Sequence, residues 1–210
     1  MKNNSNVRLE FQELASNIVL QCVAPFTLQI SSANAKEGKS YVAYGLAKAL
    51  HDLGKKTLLL DFSLQSGNKA YALGNGADIV DVLQGKASVA EACTQELQGL
   101  SILSCTQSVE FPLELLHAKA TTDLLQEVKQ QFDYIVVDSV SVINGTQAAL
   151  LAKACDATLL VVQHNATTEE QLQHAVEYFE NAGAKLAGAV LNNIHQDDFM
   201  VKHYYSKQIS

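Results

Sequence analysis

The 210-residue sequence is short of proline, with two, and short of charge, with 18% Asp, Glu, Lys and Arg. With 48% hydrophobic residues it also lacks the compositional bias that disordered, collagen-like or low-complexity chains require. No excess of basic residues is present. The formal net charge is −7, so a polyanion has little to bind, and no nucleic-acid partner is expected. The four cysteines, Cys22, Cys93, Cys105 and Cys155, form no CxxC pair and stand among apolar or small neighbours. They are expected to be small buried side chains, not metal ligands or disulfides. Met1–Leu14 has no apolar h-region, and no run approaches the roughly 18 apolar residues of a membrane span. These absences lead to the expectation of a soluble, cytoplasmic chain.

What is present is one sizeable core's worth of apolar residues, which favours a single domain over 1–210. A leading amphipathic helix, with Leu9, Leu14, Ile18 and Val19 on its apolar side, falls within residues 1–24, and 195–210 read as a polar tail. Between them, apolar strands alternate with helices. Strands are expected at Phe26–Ile30, Lys56–Asp61, Leu100–Ser104, Tyr134–Asp138, from Ala157, and at Lys185–Asn192. Helices are expected at Lys39–Leu53, Thr121–Phe132, Gln147–Ala154 and Thr168–Asn181, with short turns at Asp78–Leu83 and Ser88–Cys93. This pattern predicts an α/β fold: a doubly wound, mostly parallel sheet with helices on both faces and ligands at the carboxyl ends of its strands.

The loop after the first strand reads Ser31-Ser32-Ala33-Asn34-Ala35-Lys36-Glu37-Gly38-Lys39-Ser40, with GKS between a strand and a helix. That is the setting of a phosphate-binding loop, where backbone N–H groups and the helix dipole attract an anion. Lys39 would reach the β- and γ-phosphates and the Ser40 hydroxyl would ligate Mg²⁺. The pattern GxxxxGKS/T has glycine where this chain has Ala33, which predicts a differently shaped loop. An incidental GKS in an ordinary turn is the alternative. Asp61 and Asp138 each end an apolar strand beside this loop, where a carboxylate can hold Mg²⁺ or serve catalysis, or merely cap the next element. Their convergence favours a nucleotide site with Mg²⁺. The histidines show no metal-ligand spacing, and Ser139 and Ser141 have no histidine partner for hydrolase chemistry.

The succession FTLQISSANAKEGKS, KTLLLDFSLQ, FDYIVVDS and AGAKLAGAVLN resembles the bacterial tyrosine kinases of capsule and exopolysaccharide synthesis. These are deviant-Walker P-loop ATPases related to the Min and Par proteins. EFQELASNI, DIVDVLQGKAS and PLELLHAKA match in order and spacing, so the resemblance covers nearly the whole chain. It implies ATP or ADP held by Lys36, Glu37, Gly38, Lys39, Ser40 and Tyr41, with Asn192 at the adenine edge. It also implies metal at Ser40, Asp61 and Asp138, catalytic roles for Asp61 and Asp138, and Tyr204 and Tyr205 as candidate phosphoacceptors. The implied partner is a membrane-embedded polysaccharide chain-length or co-polymerase protein that recruits the chain to the inner face of the plasma membrane.

The departures matter as much. Ala35 and Lys36 replace the family's Pro-Gly, and Tyr41 its Thr. Asn34 stands where the Min and Par proteins carry a lysine, with Lys36 out of register. Ser63 and Gln65 replace an Asp and an Arg after Asp61, and Val140 and Ser141 replace two prolines. Leu9, Gln12 and Ala15 occupy the Glu and two Arg positions used for ring assembly. A hydroxyl at position 63 cannot hold the charge a proton acceptor needs. The expectation is a degenerate, regulatory relative that binds ATP, with kinase activity weakened or lost. A homodimer is allowed and a ring is not expected. The alternatives are a Min/Par-like ATPase switch and a non-catalytic adaptor that has lost its nucleotide.

Overall fold

The computed structural model describes residues 3–64, 71, 76–96, 99–117 and 119–194. Helix α1 (Asn3–Gln21) leads to strand β1 (Phe26–Ser32), helix α2 (Lys39–Asp52) and strand β2 (Thr57–Asp61). Short helices α3 (Ile79–Leu83) and α4 (Val89–Ala92) precede strands β3 (Thr94–Gln95) and β4 (Ser101–Leu103). Then follow α5 (Pro112–His117), α6 (Lys119–Lys129), β5 (Tyr134–Asp138) and a 3-10 turn (Val142–Asn144). Helix α7 (Thr146–Ala154), strand β6 (Ala157–Gln163), helix α8 (Glu169–Asn181) and strand β7 (Leu186–Asn192) complete the order.

The strands form one sheet in the order β3-β4-β2-β5-β1-β6-β7, parallel except for the β3–β4 pair. Successive strand side chains point to opposite faces, and over β1, β2 and β5 both faces are covered, while the edge strand β7 is largely exposed. Leu59 and Val136 pack with Leu28, Ile30, Leu46 and Leu50 on the α1–α2 side. Their neighbours Leu58, Leu60, Ile135 and Val137 pack with Ile79, Leu124 and Leu151 on the other. That explains the near-continuous apolar runs KTLLLD and YIVVD. Among the described residues, no helix is long and apolar enough to cross a membrane.

Three local expectations change. Leu9 of α1 is 55% exposed, while Ala15 is fully buried and Phe11 packs against the core. Phe11 lies flat on α2 because Gly45 is bare: a Cβ there would come within 2.3 Å of the Phe11 ring. The antiparallel strand β3 was not expected from two polar residues. Its pairing with β4 comes from the backbone, with Thr94 opposite Ile102 and Gln95 opposite Ser101. Of the cysteines, Cys105 is buried as expected, but Cys22, Cys93 and Cys155 are partly exposed, and all four are free thiols. Each of these three lies at an element end, where packing is open on one side. The tail 195–210, with Tyr204 and Tyr205, and Gln65 lie outside the described residues.

Candidate functional site

Strand β1 is central, and the loop 33–38 carries the chain from its carboxyl end into α2. Two residues of the loop adopt left-handed backbone, Lys36 at φ 65° and Gly38 at φ 93°. Ala33 does not. It takes an ordinary backbone and is buried with Val140 and Val142, so alanine fits where the pattern has glycine. The conformational burden falls on Lys36, at the place where the resembling family has glycine. Left-handed backbone costs a non-glycine residue about 1–2 kcal/mol, partly offset by the chain entropy that glycine loses. Lys36→Gly is therefore expected to stabilise the fold by about 0.5–1 kcal/mol in denaturant unfolding.

The loop is tied down from within. Lys39 Nζ donates to Ser32 Oγ at 3.1 Å, and Ser32 Oγ donates to the Asn34 carbonyl at 2.6 Å. Asn34 donates to the Glu37 carboxylate through its backbone N–H and its side-chain amide, both at 3.0 Å. Burial lowers the Lys39 pKa, opposed by the negative charges of Asp138 and Glu37. Lys36 itself points out, exposed.

Asp61 and Asp138 are direct register partners at the ends of β2 and β5, and both are buried. Asp61 Oδ1 accepts from the backbone N–H of Ser63 at 2.9 Å and from its hydroxyl. Asp61 Oδ2 is buried without a hydrogen-bond partner. Burial pushes the Asp61 carboxyl up to about 7; the Ser63 hydroxyl pulls it down and the Asp138 charge raises it further. Burial also raises Asp138, against hydrogen bonds from the Ser40 and Tyr71 hydroxyls and the charge of Lys39.

The value near 7 for Asp61 lies above the roughly 3.9 of an unfolded aspartate. Between these values the folded chain keeps a proton that the unfolded chain has lost. Stability from this group is thus present below about pH 4 and is lost as pH rises toward 7. Asp61→Asn is expected to remove that slope. Relative to the variant, the metal-free wild type should lose about 2 kcal/mol between pH 5 and pH 7.5 in denaturant unfolding. Parallel curves for the two proteins would contradict it.

Two contributors had no signal in the sequence. Tyr71 is buried, and its hydroxyl donates to the Ser40 carbonyl at 2.6 Å and to Asp138 Oδ2 at 3.1 Å. Its ring stacks on Tyr44 with centroids 6.4 Å apart. Gln29 of β1, fully buried, donates to Ser139 Oγ at 2.7 Å and to the Ala148 carbonyl at 3.0 Å, and accepts from Thr158. It anchors the segment after Asp138 across the sheet. A buried amide with all its groups satisfied specifies register, but nothing in sequence spacing announces it.

Lys36, Glu37, Gly38, Lys39 and Ser40 thus converge at one sheet edge with Asp61 and Asp138. Tyr41 stands at the rim, 55% exposed, its ring edge-on to Phe11 at 5.8 Å. Asn192 reaches the loop from β7: its amide donates to the Glu37 carbonyl at 2.9 Å and fills the space beside Gly38. That contact ties the end of β7 to the loop through the Asn192 amide.

A bound magnesium ion suits these donors. The orphaned Asp61 oxygen is an unfilled acceptor, and the Ser40 hydroxyl is close enough to the adjacent Asp138 to lower its pKa. Among the described residues no group of three or more His, Cys, Asp or Glu could hold a metal alone. Magnesium held by one or two carboxylates and completed by phosphate oxygens and water fits that count.

Such a loop, with paired strand-end carboxylates on a parallel sheet, defines a P-loop NTPase. The family model described as an AAA domain matches residues 27–190. The tyrosine-protein kinase YwqD of Bacillus subtilis is 30% identical over 79% of this chain and 71% of its own length. The tyrosine-protein kinase Ptk of Acinetobacter johnsonii is 26% identical over 93% of this chain and 28% of its own. The chain thus spans little more than a quarter of Ptk. The crystal structure of the chimerical protein CapA2B2 matches with a TM-score of 0.81 and 26% identity, over 88% of this chain and 83% of that one. The chain belongs to this AAA-domain family and, within it, to the bacterial tyrosine kinases.

Proposed function

We propose that this chain binds Mg-ATP and acts as a tyrosine-kinase-like regulator of capsule or exopolysaccharide production, with weakened or lost phosphoryl transfer. The observation that carries the reading is the buried, unpartnered Asp61 oxygen beside Asp138 at the mouth of the loop. Loop amides and Lys39 bind the phosphates. Ser40, Asp61 and Asp138 hold magnesium, which when bound offsets phosphate charge. Weakened transfer is inferred from Ser63, whose hydroxyl is spent on Asp61 and which supplies no carboxylate of its own. The partner is a membrane-embedded co-polymerase protein that brings the chain to the membrane. Calorimetric titration with Mg-ATP, run beside Lys39→Ala, tests the nucleotide reading. A labelled-phosphate assay on the full chain, reading Tyr204 and Tyr205, tests the transfer.

A further inference from the structure

Glu37 is a carboxylate placed inside a loop that has to attract phosphate, which calls for a reason. Its side chain is 3% exposed and turned behind the loop. Oε2 accepts from the Asn34 backbone N–H at 3.0 Å, while Oε1 accepts from the Asn34 amide at 3.0 Å and from the Thr167 hydroxyl. Thr167 Oγ1 in turn accepts from the Gln163 N–H, at the end of β6, at 3.0 Å. The Glu37 carbonyl accepts from Asn192 at the end of β7. The backbone on either side, Lys36 and Gly38, is left-handed. A buried charge is tolerated only when hydrogen bonds satisfy it, and here three donors from two elements do so.

We propose that Glu37 is a positioning residue that clamps the phosphate-binding loop to the turn after β6 through Thr167, holding the amides in line without a glycine at position 36. Nucleotide affinity then depends on a turn more than a hundred residues away in sequence, the separation of Glu37 and Thr167 being 130. The affinity consequence rests on the nucleotide reading above; the consequence for loop shape does not.

The test uses the full chain and Thr167→Val, which keeps the shape and removes the hydroxyl, with Thr167→Ser as the conservative rescue and Glu37→Gln as a second break. Amide hydrogen exchange in the nucleotide-free protein reads the clamp directly. Thr167→Val and Glu37→Gln are expected to speed exchange of the Asn34 N–H about tenfold or more, with the interior of α2 unchanged. Thr167→Ser is expected to exchange as wild type. Mg-ATP affinity should weaken about tenfold in Thr167→Val and return in Thr167→Ser. Unaltered Asn34 exchange in both breaking variants, each with a wild-type melting curve, would overturn the clamp. If wild type fails to bind Mg-ATP while Thr167→Val still speeds Asn34 exchange, the nucleotide reading falls and the clamp stands. Should Thr167→Val fail to fold, Glu37→Gln and Thr167→Ser decide.

Discussion

Replacing Lys39 with alanine is expected to weaken Mg-ATP binding on the order of 100-fold or more, which calorimetry reads as loss of saturation. The reason is local charge. Lys39 is the ammonium of the loop nearest Asp138 and Glu37, and its position is held by Ser32 Oγ at 3.1 Å. Without it, a polyphosphate meets Asp61, Asp138 and Glu37 with no cation fixed among them. Charge-assisted hydrogen bonds in such a partly dry site are stronger than exposed ones. Lys36 is the internal control. It lies in the same loop but exposed, so Lys36→Ala should change affinity only a few-fold through screened charge. Equal loss in both variants would mean that net charge matters and position does not. Unchanged affinity in Lys39→Ala would remove the phosphate-loop assignment.

The largest effect on stability is expected at Asp78, the N-cap of α3. Its carboxylate is 1% exposed and accepts from the backbone N–H groups of Val80 at 2.9 Å, Thr106 at 2.8 Å and Gln107 at 2.9 Å. The Thr106 hydroxyl and the Gln107 amide donate to it as well, at 2.8 and 3.1 Å. Each buried donor left without a partner costs about 1–3 kcal/mol, and loss of a cap about 1 kcal/mol. Asp78→Ala should therefore destabilise by about 4 kcal/mol in denaturant unfolding, and Asp78→Asn by about half of that. A loss below about 1 kcal/mol would show that the 104–107 segment does not depend on this carboxylate. Burial pushes the Asp78 pKa up, but the bonds from Thr106, Gln107 and Val80 outweigh it and hold it below the usual range. With the folded value depressed, its contribution is present above the unfolded pKa of about 3.9 and is lost as pH falls through the folded one. The variant should accordingly show less acid destabilisation than wild type. The same segment carries Cys105, which is near enough to Asp61 to help lower its pKa, so Asp78 also steadies the site from the far side of β2.

Much of this was legible in the residues themselves. The apolar runs ending in Asp61 and Asp138 announced buried parallel strands with carboxylates at their tips, and β2 and β5 end at those residues. GKS between a strand and a helix placed Lys39 and Ser40 at the start of α2. Helix α8 begins after Thr168, whose hydroxyl and Gln171 form a reciprocal cap that its sequence spells out. Where the reading missed, long-range contact had decided. Leu9 looks like a core residue by spacing, yet α1 turns Ala15 and Phe11 to α2 because Gly45 leaves a flat place for a ring. Ala33 looked like a defect in the loop, yet the left-handed turns fall at Lys36 and Gly38.

By itself, then, the sequence determined the α/β class, the strand order along the chain and the residues at the carboxyl edge, because periodicity and strand-end chemistry are local properties. Tertiary structure alone decided the rest. Asp61 and Asp138 became a buried pair because β2 and β5 pair in register. Tyr71 reached Asp138, and Thr167 and Asn192 reached Glu37, across separations of 67, 130 and 155 residues. Such contacts have no period to read. They exist because the sheet brings distant parts of the chain to one edge, where burial drives most polar groups to find a partner and leaves Asp61 Oδ2 as an exception.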